Sequence, residues 1–144
     1  MQTFEVVSCP SSEPGHGFTG LQYRGECPNS RFISSKLPEY PLNFLLRFDS
    51  TVHFDKVVLE SEDHHSPHKI AFYTGTCLLS GLLPSTSWNL AGRWEHPLER
   101  GRRAIDLFGS GNVLKVQVLE GPSRSGRNIY RQIVFKQFLV FGVS

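Results

Sequence analysis

Apolar side chains in this chain return at every second residue. Phe44, Leu46 and Phe48 alternate with Asn43, Leu45 and Arg47, and Leu114, Val116 and Val118 alternate with Lys115 and Gln117. A strand turns successive side chains to opposite faces, so a period of two marks a sheet with one buried side. A helix needs apolar residues three or four apart between capping residues, and no window supplies both. Runs of this kind recur at 3–8, 18–24, 43–49, 52–60, 68–76, 103–108, 112–120 and 131–143, separated by Gly, Pro, Ser and Asn. Eight short strands predict an all-β jelly-roll β-sandwich of antiparallel strands.

Two runs carry more than a period. In VHFDKVVLE, Val52 and Phe54 share one parity while Val57 and Leu59 share the other, which predicts a bulge near Asp55 and Lys56. Residues 131–143 are apolar on both faces, through Ile133, Phe135, Leu139 and Phe141 on one side and Val134, Phe138 and Val140 on the other. That pattern predicts a central strand. Between them lies the longest stretch without a strand signal, residues 77–102, which carries both tryptophans, Trp88 and Trp94. Loops of that length are commonly functional.

The chain has 144 residues, 39% hydrophobic and 19% charged, which suits one packed domain over residues 1–144. No repeat or low-complexity tract divides it. Cys9, Cys27 and Cys77 form no CxxC pair, and an odd number fits a disulfide framework poorly, so a reducing compartment and buried thiols are expected. No apolar run is long enough to span a membrane, and the sequence MQTFEVVSCPSSEP has neither a basic nor an apolar signal region. A cytoplasmic protein is expected. Residues 1–92 carry six Lys/Arg against nine Asp/Glu, whereas residues 93–144 carry nine against four. This local excess of +5 fits either solvated loops or a site for an acidic partner, and is too small to imply nucleic acid.

Chemistry-bearing patterns are sparse. SEDHHSPHK, residues 61–69, gathers Glu62, Asp63, His64, His65 and His68, but as a hairpin connection its successive side chains diverge. It reads as an exposed polar turn fixed by Pro67, with no metal and no cofactor implied. No GxSxG elbow or Cys/His signature supports a nucleophile, so no catalytic residue is assigned. The glycines of PGHGFTG, and Gly109 with Gly111, read as turn glycines in strand connections. The strongest exposed feature is arginine beside aromatic rings: Arg100, Arg102 and Arg103 in LERGRR, and Arg124, Arg127 and Arg131 in GPSRSGRNIYR, with Trp88 and Trp94 as candidate partner contacts. Arginine pairs well with carboxylates, and arginine with aromatics is the usual composition of interaction hot spots. Packed aromatics and solvated arginines would read the same way.

Four stretches carry a family resemblance: FEVVSCPSSEPGHGFTGLQY (4–23), NSRFISSKLPEYPLNFLLRF (29–48), VVLESEDHHSPHKIAFYTG (57–75) and NIYRQIVF (128–135). Together they resemble the N-terminal jelly-roll domain of the 104-kilodalton centrosomal protein family, found at centriole ends and ciliary tips. The family's tryptophan before the Arg-Phe pair is absent, His68 stands where a serine is usual, and residues 77–102 align poorly. The resemblance implies a discoidin- and galactose-binding-like jelly roll, the N-terminal module of a larger microtubule-end protein, without enzymatic activity. It implies other centriolar or ciliary proteins as partners, or tubulin and microtubules through their acidic surfaces, and a place at the cytoskeleton, centriole, basal body and ciliary or flagellar tip. Asn128 and Tyr130 match the family's Asn-Ile-Tyr-x-Gln and are expected to be structural anchors, the Asn side chain holding the turn and the Tyr ring buried. The other reading is a carbohydrate-binding sandwich module, kept open by Trp88 and Trp94.

Overall fold

A computed structural model describes residues 1–14, 31–77, 88–95, 101–122 and 126–144. Among them the strands are β1 (Glu5–Ser8), β2 (Phe32–Ile33), β3 (Leu42–Ser61), β4 (Lys69–Gly75), β5 (Asn89–Trp94), β6 (Gly101–Glu120), β7 (Val134–Phe135) and β8 (Gln137–Val143). The chain is an all-β protein, and every strand pair among the described residues is antiparallel.

Two 20-residue strands, β3 and β6, run through the molecule as one ladder from Leu42↔Val118 to Ser61↔Gly101. Their two halves have different neighbours. Beside Leu42–Arg47 the order is β1-β3-β6-β4-β5, while beside His53–Glu60 β3 is flanked by β8 and β6. The ladder shifts register between Arg47 and Val52 and again between Phe54 and Lys56. The expected bulge at Asp55 and Lys56 is present, because β3 has one more residue than β8 between Phe54↔Gly142 and Lys56↔Phe141. It turns Val57 and Leu59 back to the core after Phe54.

Phenylalanines join the halves. Edge-to-face contacts link Phe32 to Phe44, Phe44 to Phe135, Phe135 to Phe138, Phe138 to Phe4, Phe4 to Phe48, and Phe48 to Phe54, with centroids 5.2–6.1 Å apart. Each pair adds about 0.5–1.5 kcal/mol to the burial of its rings.

Several expectations need correction. The separate runs 43–49 and 52–60 are one strand, as are 103–108 and 112–120. Gly109 and Gly111 are not turn glycines but lie within β6: a Cβ at Gly111 would overlap the Gly75 carbonyl, so its absence admits a close backbone approach, and Gly109, at φ 154°, packs against the Thr74 side chain. The stretch 77–102 is not a structureless loop, since β5 pairs with β4 there. Residues 131–143 are not one central strand. Val134 and Phe135 pair with β2, and β8 pairs with β3, with only the Gln2↔Val140 bridge described on its other side. The double-faced apolarity arises because the change of strand at Lys136 sends Phe135 and Phe138 to one core, while Phe141 on the outer face is covered by the Lys56 ammonium 5.3 Å from its ring. The run 18–24 lies outside the described residues.

Candidate functional site

The turn after β3 is built by its own polar side chains. The His65 amide and the Ser66 hydroxyl both donate to Glu62 O, and Ser66 and Pro67 are buried. The turn is therefore less exposed than its composition implies, and its histidines are not gathered: no group of three or more His, Cys, Asp or Glu is placed to hold a metal among the described residues.

Asn128 ties this turn to the segment before β7. Its Nδ2 donates to His64 O and Gln132 O at 2.7 Å each, and its Oδ1 accepts from Gln132 N at 2.9 Å. With both groups of its amide engaged, it is almost fully buried. Tyr130 differs from the expectation of a buried ring. It is 38% exposed, the Lys36 ammonium stands 4.6 Å over the ring, and its contribution to the loop is a backbone carbonyl that accepts from Leu37 N.

Among the described residues three non-glycine residues have left-handed backbones, and all are in this region: Leu37 at φ 49°, His64 at φ 65° and Arg131 at φ 51°. Such a conformation costs about 1–3 kcal/mol and persists where surrounding bonds enforce it, commonly at binding sites. Here the bonds are Leu37 N to Tyr130 O, Asn128 Nδ2 to His64 O, and Arg131 N to Asn128 O.

Beside these residues opens a cleft of about 470 Å³ lined by Pro38, Tyr40, His68, Glu120, Gly121 and Arg131. Tyr40 donates its hydroxyl to Arg131 O at 2.9 Å, and its ring lies over Gly121, where a Cβ would collide with it. Burial pushes the Tyr40 hydroxyl up to about 12, against the opposing pull of the Arg131 charge. The Arg131 guanidinium carbon lies 5.9 Å from the Tyr40 ring centre and its Nε donates to Pro122 O at 3.1 Å. His68 and Glu120 are held together by the bond from His68 N to Glu120 O. The lining thus brings together Tyr40, Arg131, His68 and Glu120, residue types with donors and acceptors enough to read a hydroxylated ligand.

The structure disperses the arginine and tryptophan candidates. Arg100 and Arg124 lie outside the described residues. Arg102 is 3.9 Å from one Glu60 oxygen while Lys136 is 3.7 Å from the other, exposed pairs worth about 0–1 kcal/mol. Arg103 is half-buried on β6, Arg127 is exposed, and Arg131 lines the cleft. Trp94 is a strand residue packed against the core, opposite Ile70. Trp88 lies against Gly75, and the Lys115 ammonium is 5.1 Å from its ring and 5.0 Å from that of Tyr73. The thiols also depart from expectation, Cys9 being exposed and Cys77 half-buried, with Cys27 outside the described residues. Sequence reasoning missed Tyr40 and Glu120 and set His68 aside, because only the fold brings LPEYP, HK and LEGP to one end.

No protein-family model and no curated protein matches the chain. Solved structures do. CBM32-3 from a family 31 glycoside hydrolase of Clostridium perfringens superposes with a TM-score of 0.73 at 12% identity over 97% of this chain and 91% of that one. Chitosan-binding module 2 of a chitosanase/glucanase from Paenibacillus sp. IK-5, solved with chitotriose, gives 0.72 at 16% identity over 98% of each chain. The fold is a jelly roll. The family 32 carbohydrate-binding module of Streptococcus pneumoniae EndoD gives 0.69 at 12% identity over 96% of this chain and 94% of that one. At these identities the likeness establishes the fold alone.

Proposed function

We propose that this chain is a non-enzymatic binding module and that the cleft between Tyr40, His68, Glu120 and Arg131 takes carbohydrate. The observation that carries this reading is the meeting of Tyr40, Arg131, His68 and Glu120 around a cleft of ligand-binding size, beside three strained backbones. The fold likeness to modules described as carbohydrate- and chitosan-binding supports it. The Tyr40 ring provides an apolar surface for a sugar's C–H groups, and the three charged or titratable side chains answer its hydroxyls. A glycan array, followed by titration calorimetry with glucosamine and its oligomers, tests the reading. Arg131→Gly is the informative variant, because it removes the guanidinium while relieving the positive φ, so the fold survives. Binding should weaken about tenfold or more, on the order of 1.4 kcal/mol. Unchanged binding would move the site elsewhere.

A second reading is protein interaction in a centriolar or ciliary-tip scaffold, with tubulin or another acidic surface as partner. It rests on the four-stretch resemblance and on one observation, the exposure of Leu37, Arg127, Ile129 and Tyr130 on the rim of the same loops. Apolar and aromatic groups beside arginine suit a protein partner. Co-sedimentation with microtubules, with Ile129→Asp as the variant, distinguishes it: loss of pelleting with glycan binding intact would assign the rim to protein.

A further inference from the structure

A second cleft, of about 410 Å³, opens on the other side of the segment that walls the first. Its lining includes Cys9, Ser11, Ser35, Glu39, Pro41 and Asn43. Pro38 lines both clefts. Along the intervening segment Tyr40 faces the first cleft, while its neighbours Glu39 and Pro41 face the second. The two spaces are the two flanks of one ridge.

The ridge is anchored on both sides. Ser35 N donates to Ser11 O at 3.0 Å, joining two residues that line the second cleft, and Leu37 N donates to Tyr130 O at 2.9 Å on the side of the first. Tyr40 is fixed to Arg131 O. Leu37, immediately before the shared proline, is held at φ 49°. A ridge tied at these points does not swing to close one cleft as it opens the other, so both stand open together and a ligand meets them preformed. The chemistry continues from one to the other: hydroxyl, amide and carboxylate groups of Ser11, Ser35, Asn43 and Glu39 on one side, and His68, Glu120 and Arg131 on the other.

Building on the carbohydrate reading above, we propose that the two clefts are paired subsites on either side of Pro38, so that the module binds an oligomeric, chain-like glycan rather than a single sugar. One unit occupies the Tyr40–Arg131 cleft, the chain crosses the rigid proline surface, and a further unit reaches the serine-lined cleft. Engagement of the second cleft is then intramolecular and multiplies the affinity of the first.

The experiment is calorimetric titration of the protein with glucosamine, its dimer, trimer and tetramer. Affinity should rise about tenfold or more between monomer and trimer and then level off. Ser11→Trp, which fills the second cleft from an exposed position while keeping the carbonyl that bonds Ser35, should remove the gain for the trimer and leave monomer binding as it was. Cys9→Trp is an independent block at another point of the same cleft and should act alike, so a failure of either variant to fold does not stop the test. Equal affinity for monomer and trimer, or a trimer gain that survives whichever blocks fold, would overturn the paired subsites while leaving the first cleft as a sugar site. Binding of no member of the series would overturn both.

Discussion

Arg131 sits at the centre of the candidate site through three roles: a positive φ, a bond from Nε to Pro122 O, and a guanidinium beside the Tyr40 ring. Leu37 shares the backbone strain but not the contacts, being 59% exposed. Leu37→Gly should therefore raise stability by about 1 kcal/mol, the relief of strain being partly offset by glycine's entropy, as read from a denaturant midpoint. Asn128→Ala should do the reverse. It strands the Gln132 amide and two carbonyls in a buried turn, at a cost of about 1–3 kcal/mol. Tyr40 gives a pH signature. Its hydroxyl ionises near 12 in the folded protein against 10.0 when free, so below pH 10 it is neutral in both states and stability is unaffected. Between pH 10 and 12 the unfolded chain loses the proton first, and stability falls until the folded hydroxyl ionises as well. Tyr40→Phe should flatten that part of the stability profile relative to the native protein; equal slopes would mean that burial does not hold the proton. At this scale the sequence exposes Asn128 and Arg131, which stand in a recognisable turn motif. Tyr40 is not legible, because its partners come from residues 121 and 131.

At the scale of elements, alternation is a property of single strands, so the positions of β3 and β6 were readable from Phe44-Leu46-Phe48 and Leu114-Val116-Val118. Continuity is a property of neighbours, and there the reading fails. Asp49-Ser50 and Gly109-Ser110-Gly111-Asn112 look like turns, yet both lie within unbroken strands. The second carries small residues because β4 crosses there: Gly111 meets Gly75, and the Asn112 side chain accepts from Cys77 N and donates to Cys77 O, extending the β4–β6 ladder past its last backbone pair. Gly111→Ala places a methyl against the Gly75 backbone and should destabilise by about 3 kcal/mol, since neither backbone can retreat without opening the ladder. A change below about 0.5 kcal/mol, the range of an ordinary surface substitution, would refute the close approach. β5 escaped notice for a related reason. Gly92 interrupts its alternation, and that glycine is needed where a Cβ would collide with Asp106 O.

For the molecule as a whole, the question is whether the two neighbourhoods of the β3–β6 ladder melt as one. The N-terminal residues couple them. Gln2 N donates to Val140 O at 2.8 Å and its Nε2 to Gly142 O at 3.0 Å, binding the chain start to β8, while β1 pairs with the other half of β3. Between these attachments Phe4 is buried, with its ring edge-to-face on Phe138 of β8 and on Phe48 of β3. It is the ring through which β8 reaches Phe48 and Phe54 in the sequence of contacts that runs from Phe32. Phe4→Ala should lower stability by about 3–5 kcal/mol, the usual result of truncating a buried phenylalanine. The manner of unfolding is the sharper observable. Trp88 and Trp94 report on the β4–β5 side by fluorescence, whereas circular dichroism sums all strands. In the native protein the two transitions should coincide, as for a cooperative single domain. Because β3 and β6 pass through both halves, removing Phe4 should shift both transitions together rather than separate them. Separate midpoints in Phe4→Ala would show that the halves are joined by that ring rather than by the shared strands.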